Sequence, residues 1–232
     1  MISGARALSN IGRPASVSNA RPLLRGYLHA GAALVAAVGG AYLVELSSGD
    51  PPRQLSMLVY GVGLTVLFAV SAFYHLRTWT PVRRAILRRI DHANIFVLIA
   101  ATYTPLAFNM LAGWWRVGIL GAVWGAALFG VAAAVAGVQL RRGTRAGLYV
   151  AMGWIALAAL GQLPTALPWP AIGLLIAGGA LYSAGALLYA RRWPDPWPRV
   201  FGYHEVFHLL TIAAAAAFYV VVLVYVLPAP RP

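Results

Sequence analysis

The chain lacks cysteine and contains little charge of either sign. Without cysteine it has no disulfide framework and no thiolate chemistry, so a metal site must be built from His, Asp, Glu or water. Only 10% of its 232 residues are charged, whereas soluble domains are about 25% charged. Because 61% of the residues are hydrophobic, a soluble chain of this length could not bury its apolar surface. These properties exclude a soluble enzyme and a disordered tail, and they indicate an all-α, polytopic membrane protein.

Acidic residues are the scarcest charged type, with five against 18 basic residues, and every basic residue is arginine because the chain contains no lysine. A basic excess can indicate a nucleic-acid partner. Here, however, the arginines lie between apolar runs, which is where membrane topology places them. We therefore expect the lipid bilayer as the partner and no nucleic acid, and the sequence identifies no protein partner.

Seven apolar runs follow the first 22 residues. Each run is close to the roughly 20 residues that a helix needs to cross the hydrocarbon core. The fifth run is the shortest, and Pro164 ends it. The pattern predicts a seven-helix transmembrane bundle, with runs at about 24–46, 55–76, 92–112, 117–139, 146–163, 169–190 and 201–227.

The arginines predict the orientation of this bundle. In alternate connections they fall into a group of 15 and a group of 3, and the larger group should face the cytoplasm. The N-terminus is then cytoplasmic and, after seven crossings, the C-terminus is outside. The larger group comprises Arg6, Arg13, Arg21, Arg25, Arg77, Arg83, Arg84, Arg88, Arg89, Arg141, Arg142, Arg145, Arg191, Arg192 and Arg199, and the smaller group comprises Arg53, Arg116 and Arg231.

The domain organisation predicted from this pattern is simple. Residues 1–22 form a short cytoplasmic tail, residues 23–227 the seven-helix domain and residues 228–232 a C-terminal tail. The first segment is rich in arginine and serine and free of acids, which is also typical of organelle transit peptides. It has no apolar core of the signal-peptide type, and we favour the cytoplasmic tail.

Several polar residues share one membrane level under this topology. Ser71 and His75 end the second run, Asp91 opens the third, and His204 and His208 open the seventh. All three positions are cytoplasmic ends. His204 and His208 are four residues apart and therefore project from one helix face. Three imidazoles with an open fourth position are typical of a catalytic zinc site.

The residues alone leave alternatives open. The group is also consistent with a wet, hydrogen-bonded polar cluster that holds no metal. His92 is an alternative to His75 as a ligand, although it points about 100° away from Asp91 on a helix, and we favour a headgroup or packing role for it. His29 either supports the site or is a buried histidine with satisfied nitrogens. Glu205 is expected to face away and to stabilise the start of its helix.

The same residues carry a resemblance to a known family. The chain resembles the hemolysin III proteins, bacterial members of the progestin and adipoQ receptor family. The matching segments cover nearly the whole bundle, and they are specific together. They are RGYLH at 25–29, SAFYH at 71–75, DHANI at 91–95, ATYTP at 101–105 and GYHEVFH at 202–208.

The resemblance implies a fold and a site. It implies seven helices with a cytoplasmic N-terminus, in a multi-pass protein of the bacterial cell membrane. It also implies a zinc ion held by His75, His204 and His208 near the cytoplasmic face. Asp91 would hold a zinc-bound water, and Ser71 would support the site.

The resemblance leaves two classes of function open. Relatives look like membrane hydrolases of the ceramidase kind, which implies a zinc-dependent hydrolase of lipid amides or esters. The family name derives from a lytic, pore-like activity, which implies instead a non-enzymatic lytic or membrane-homeostasis protein with a structural zinc. An open metal position facing a lipid-sized cavity would favour the hydrolase, and a closed four-ligand shell would favour the second class.

Overall fold

The computed structural model describes residues 22–159 and 161–232, and this part of the chain folds into helices joined by short turns. The all-α prediction is confirmed for these residues. The cytoplasmic tail predicted for 1–22 lies outside the described residues except for its last position. The helices are α1 (Tyr27–Leu46), α2 (Pro51–Leu76), α3 (Pro81–Met110), α4 (Gly113–Val135), α5 (Arg142–Gly153), α6 (Leu163–Ala166), α7 (Trp169–Arg191) and α8 (Tyr203–Val221).

Six of the helices in the described ranges are long and apolar enough to cross a membrane. They are α1, α2, α3, α4, α7 and α8, the last of which continues as a π-helical turn to Val226. They correspond to six of the seven predicted runs. The agreement reflects a physical requirement, because a helix that spans the hydrocarbon core needs about 20 consecutive apolar residues.

Helix α3 begins well before the apolar run that predicted it. The apolar run spans about 92–112, whereas the helix starts at Pro81 and is 30 residues long. The Thr80 side chain caps the helix by accepting a hydrogen bond from the Arg83 backbone N–H at 3.4 Å. Proline suits the first helical position, and arginine is a good helix former. The arginine-rich segment is therefore helical although it is not apolar.

The fifth run differs most from its prediction. In place of one helix over 146–163, α5 ends at Gly153, and a five-residue 3₁₀-helix, Ile155–Ala159, follows. The hydroxyl of Tyr103 in α3 donates to the Gly153 carbonyl at 2.7 Å and accepts from the Ala156 backbone N–H at 2.8 Å. Two backbone groups at the break are thus satisfied by a side chain of another helix, as membrane depth requires.

This broken segment lies alongside α3 and runs in the same direction. Near its beginning, the Tyr149 hydroxyl donates to the backbone carbonyl of His92 at 2.9 Å. At its end, Ala159 packs in one apolar cluster with Ala107 and Leu111. The segment therefore carries the chain from the level of His92 to the level of Leu111.

Helices α1, α2, α3, α7 and α8 alternate in direction around one apolar core. A single cluster joins the last turns of α1, α3 and α8 to the first turns of α2 and α7, through Leu43, Met110, Val226, Met57 and Ile172. The beginning of α7 therefore lies at the end of the bundle opposite to His92. The site residues predicted from the sequence all lie near that other end.

Helices α1 and α2 cross at two glycines. A Cβ atom built on Gly61 would lie 2.7 Å from the Gly40 Cα, and one built on Gly40 would lie 2.8 Å from the Gly61 Cα. Such small residues allow backbones to approach closely in lipid. Gly121 and Gly125 in α4 are different, since a Cβ at either would meet nothing within 4 Å.

This contrast gives a testable prediction for packing. Gly61→Ala should destabilise the protein by about 1–3 kcal/mol, because the added methyl group meets backbone that must shift. Gly121→Ala should be neutral or stabilising by up to about 1 kcal/mol, since alanine is the better helix former and the space is open. Thermal unfolding of the detergent-solubilised proteins measures both. Equal melting temperatures for the two variants would contradict the assigned crossing.

Candidate metal centre

Two helix ends carry the three histidines of the predicted site. His75 lies in the last turn of α2, and His204 and His208 lie in the first two turns of α8. The Glu205 carboxylate accepts a hydrogen bond from the Gly202 backbone N–H at 2.8 Å, which caps the start of α8. The helix is therefore regular from its first turn, and both of its histidines face α2.

The three imidazoles converge. The Nε2 atoms of His75 and His204 are 3.1 Å apart. The ring centroid of His208 is 4.4 Å from that of His204 and 5.4 Å from that of His75. One ligand atom from each ring lies within 4.8 Å of the others, which is close enough to hold one metal ion.

The geometry and the donor set fit a zinc ion. Two nitrogens bound tetrahedrally at about 2.05 Å stand about 3.3 Å apart, close to the separation of the His75 and His204 nitrogens. His208 is 2% exposed, and its Nδ1 atom has no hydrogen-bond partner among the described residues. Three imidazoles without a thiolate also suit other transition metals, so the donor set by itself indicates a transition-metal ion and does not select zinc.

Ser71 and Asp91 stand beside the histidines. Ser71 is 4% exposed and lies one turn before His75 on α2. Its hydroxyl lies beside the half-buried Asp91 carboxyl of α3, close enough to influence the ionisation of that carboxyl. Both residues line the same cavity as the three histidines. The five residues singled out from the sequence are thus neighbours in the fold.

His29 is closer to the site than the sequence indicated. Its ring stacks on that of His208, with centroids 3.7 Å apart and planes 12° from parallel. Neither of its ring nitrogens has a hydrogen-bond partner among the described residues, which argues against the alternative of a buried histidine with satisfied nitrogens. It does not belong to the group of three whose ligand atoms converge.

Glu205 caps its helix as expected, but it does more. Its side chain is fully buried, and its carboxylate accepts a hydrogen bond from the Nε atom of Arg25 at 2.8 Å. This ion pair links the segment before α1 to the first turn of α8. The sequence contained a weak signal for it, since an acid inside an apolar run requires a partner.

A cavity of about 450 Å³ extends from the histidines into the bundle. Binding pockets for small molecules are about 300–1,000 Å³ and mostly apolar. The deep part of this cavity is apolar and reaches the far ends of α3 and α4. Its lining there includes Leu106, Met110, Ile119, Ile172 and Leu175.

The mouth of the cavity contains residues that the sequence reasoning missed. Tyr149 of α5 and Tyr189 of α7 line it, together with Arg142 and Arg145. The spacing of Arg142, Arg145 and Tyr149 places the three on one face of a helix, which was the available signal. His92 also lines the mouth and is not in the converging group, consistent with the preference for His75 as the ligand.

Fold and site together define a multi-pass helical membrane protein with a histidine cluster at one end of an internal apolar cavity. Comparison with known families identifies it further. The family model described as haemolysin-III related matches residues 17–219. The chain therefore belongs to the hemolysin III family of the progestin and adipoQ receptor superfamily, and it is a multi-pass protein of the bacterial membrane.

Individual relatives agree with this assignment. The chain is 31% identical to a hemolysin-3 homolog of Bacillus subtilis, over 76% of this chain and 79% of the relative. It is 32% identical to hemolysin-3 of Bacillus cereus, over 78% and 79%. A heptahelical transmembrane protein of rice, ADIPOR2, is 32% identical over 71% of this chain and 79% of its own length.

Proposed function

We propose that this protein is a zinc-dependent membrane hydrolase that cleaves an amide or ester bond of a lipid. The observation that carries the proposal is the convergence of three imidazoles beside an Asp91–Ser71 pair on the wall of one largely apolar cavity. Three protein ligands with an open position are typical of catalytic rather than structural zinc. A cavity next to the ligands gives the scissile bond a place to bind.

Each side chain has a role in this proposal. His75, His204 and His208 bind the ion. When bound, zinc supplies a Lewis acid that polarises the substrate carbonyl and lowers the pKa of a water molecule to about 7. The Asp91 carboxylate accepts a proton from the attacking water and returns it to the leaving group. The Ser71 hydroxyl orients that carboxylate, and the apolar cavity binds the lipid chain and excludes water.

The first experiment tests the metal ligands. We expect His208→Ala to lose bound zinc, because two imidazoles remain where three are needed. His92→Gln should retain it, since His92 lines the mouth but is outside the converging group. Metal content of the purified proteins measures both. Equal zinc retention by both variants would reject the ligand assignment.

The second experiment separates chemistry from metal binding. Asp91→Asn should keep the zinc and lose about 10²- to 10⁴-fold in rate, which is the usual contribution of a general acid–base group. Ser71→Ala should lose about 5-fold, because one hydrogen bond contributes about 1 kcal/mol. The assay is release of fatty acid from a panel of ceramides and related amides and esters in nanodiscs.

Two outcomes would count against the proposal. Undetectable release by the zinc-loaded protein across the panel would favour the non-enzymatic class, in which the metal is structural and the protein is lytic or homeostatic. Release undiminished by Asp91→Asn would retain the enzyme and discard the role of that carboxylate.

We further propose that the chain crosses the membrane seven times, with the N-terminus cytoplasmic and the C-terminus outside. The α5 helix and the 3₁₀-helix together extend about 28 Å, close to the hydrocarbon thickness of about 30 Å. The name of the rice relative, heptahelical, supports the same count. The division of the arginines into groups of 15 and 3 supports the orientation.

Reporter fusions at the two ends test this topology. A reporter that is active only in the cytoplasm should give signal at the N-terminus and none at the C-terminus. A second reporter, active only outside, should give the reverse pattern. Cytoplasmic signal of similar strength from both ends would contradict an odd number of crossings.

A further inference from the structure

Besides Arg25, which is paired with Glu205, four further arginines line the mouth of the cavity. Arg84 and Arg88 are one turn apart on α3, and Arg142 and Arg145 are one turn apart on α5. Arg142 is held in place at the mouth, because its guanidinium lies over the Tyr189 ring at 4.6 Å and donates to the Tyr189 carbonyl at 3.3 Å. Two helices thus present guanidinium groups to one opening.

These charges have no acidic partners in the described part of the chain. The three ion pairs there join Arg25 to Glu205, and Arg53 and Arg231 to Asp50. Glu45 is at the far end of α1, and Asp195 accepts a hydrogen bond from the Tyr203 backbone N–H. Asp91 is the one acid among the described residues that lines the mouth. Several like charges around one opening attract an anion.

Membrane topology does not account for this arrangement. The positive-inside rule places arginines at this end of the bundle, but it does not direct them into a cavity. Arg83, Arg89 and Arg141 are sequence neighbours of the four and do not line it. The same two connections therefore contain arginines that line the cavity and arginines that do not, so the positive-inside rule alone does not explain the four at the mouth.

We propose that this mouth binds the phosphate group of an anionic lipid whose chain occupies the apolar cavity. Guanidinium groups match phosphate oxygens in bidentate hydrogen bonds, and four of them exceed what one carboxylate neutralises. The apolar lining continues directly from the mouth, which favours a phosphate attached to a chain over free phosphate. Binding of this lipid does not depend on the proposed hydrolase function. The further statement that the lipid is the substrate rests on that function.

The test compares lipids that differ only in the phosphate group. The full-length protein in detergent is titrated with monooleoylglycerol phosphate, with neutral monooleoylglycerol and with inorganic phosphate. We expect the charged lipid to bind more tightly than the neutral lipid. Each arginine contributes about 5-fold to such binding, so Arg88→Gln/Arg145→Gln should weaken it about 30-fold. Affinity for the neutral lipid should stay unchanged, which reports on folding.

The matched control is Arg83→Gln/Arg141→Gln, which removes the same charge from positions outside the cavity and should retain the preference. Equal affinity of the wild type for both lipids would overturn the proposal. Equal losses in the two double variants would assign the effect to general surface charge and would overturn it as well. Inorganic phosphate that competes at the same concentration as the charged lipid would reject a lipid as the source of the phosphate.

The hydrolase proposal and the lipid-binding proposal can be rejected independently of each other. Asp91→Asn should bind the charged lipid at least as tightly as the wild type does, because it keeps all four arginines. A wild type that prefers the charged lipid and releases no fatty acid would reject the hydrolase and keep the binding site. A wild type that releases fatty acid and has no preference for charge would reject the binding site and keep the hydrolase.

Discussion

The ion pair between Arg25 and Glu205 holds the histidine end of the bundle together. A fully buried carboxylate at membrane depth is costly unless a charged partner compensates it. The pair joins residues 180 positions apart, and it brings the start of α1 to the start of α8. Two backbone hydrogen bonds support the same junction, from the Leu23 and Leu24 N–H groups to the Arg199 and Val200 carbonyls at 3.0 and 3.1 Å. His29 and His208 can stack because these two helix ends are fixed together.

The irregular fifth segment forms part of the cavity wall. Its α-helix stops after 12 residues and continues as a 3₁₀-helix, which is narrower. Tyr149 of α5 lines the cavity, and so do Leu157 and Ala159 of the 3₁₀-helix. The Tyr103 hydroxyl makes this break tolerable, since it satisfies the Gly153 carbonyl at the end of α5 and the Ala156 N–H in the 3₁₀-helix.

The sequence predicted those features that lipid imposes locally. Apolar runs of the length that a bilayer requires predicted six of the helices. The positions of His75, His204 and His208 at the ends of such runs predicted that the three lie at the same end of the bundle. Two other features depend on residues far apart in the chain. The break at Gly153 requires Tyr103 from another helix, and the burial of Glu205 requires Arg25. The start of α3 was missed for a different reason, because its first turns are helical and polar, and a search for apolar runs does not detect them.

The length of α3 sets the height of the cavity mouth relative to the bilayer. A helix of 30 residues is about 45 Å long, about 15 Å more than the hydrocarbon core. Its far end is buried in the apolar cluster with Met57 and Ile172, so the surplus projects beyond the histidine end and carries Arg84 and Arg88 with it. The mouth therefore stands near the headgroup height of one leaflet. A lipid that entered the cavity through this mouth would come from that leaflet, so the composition of one side of the membrane would decide which lipids reach it.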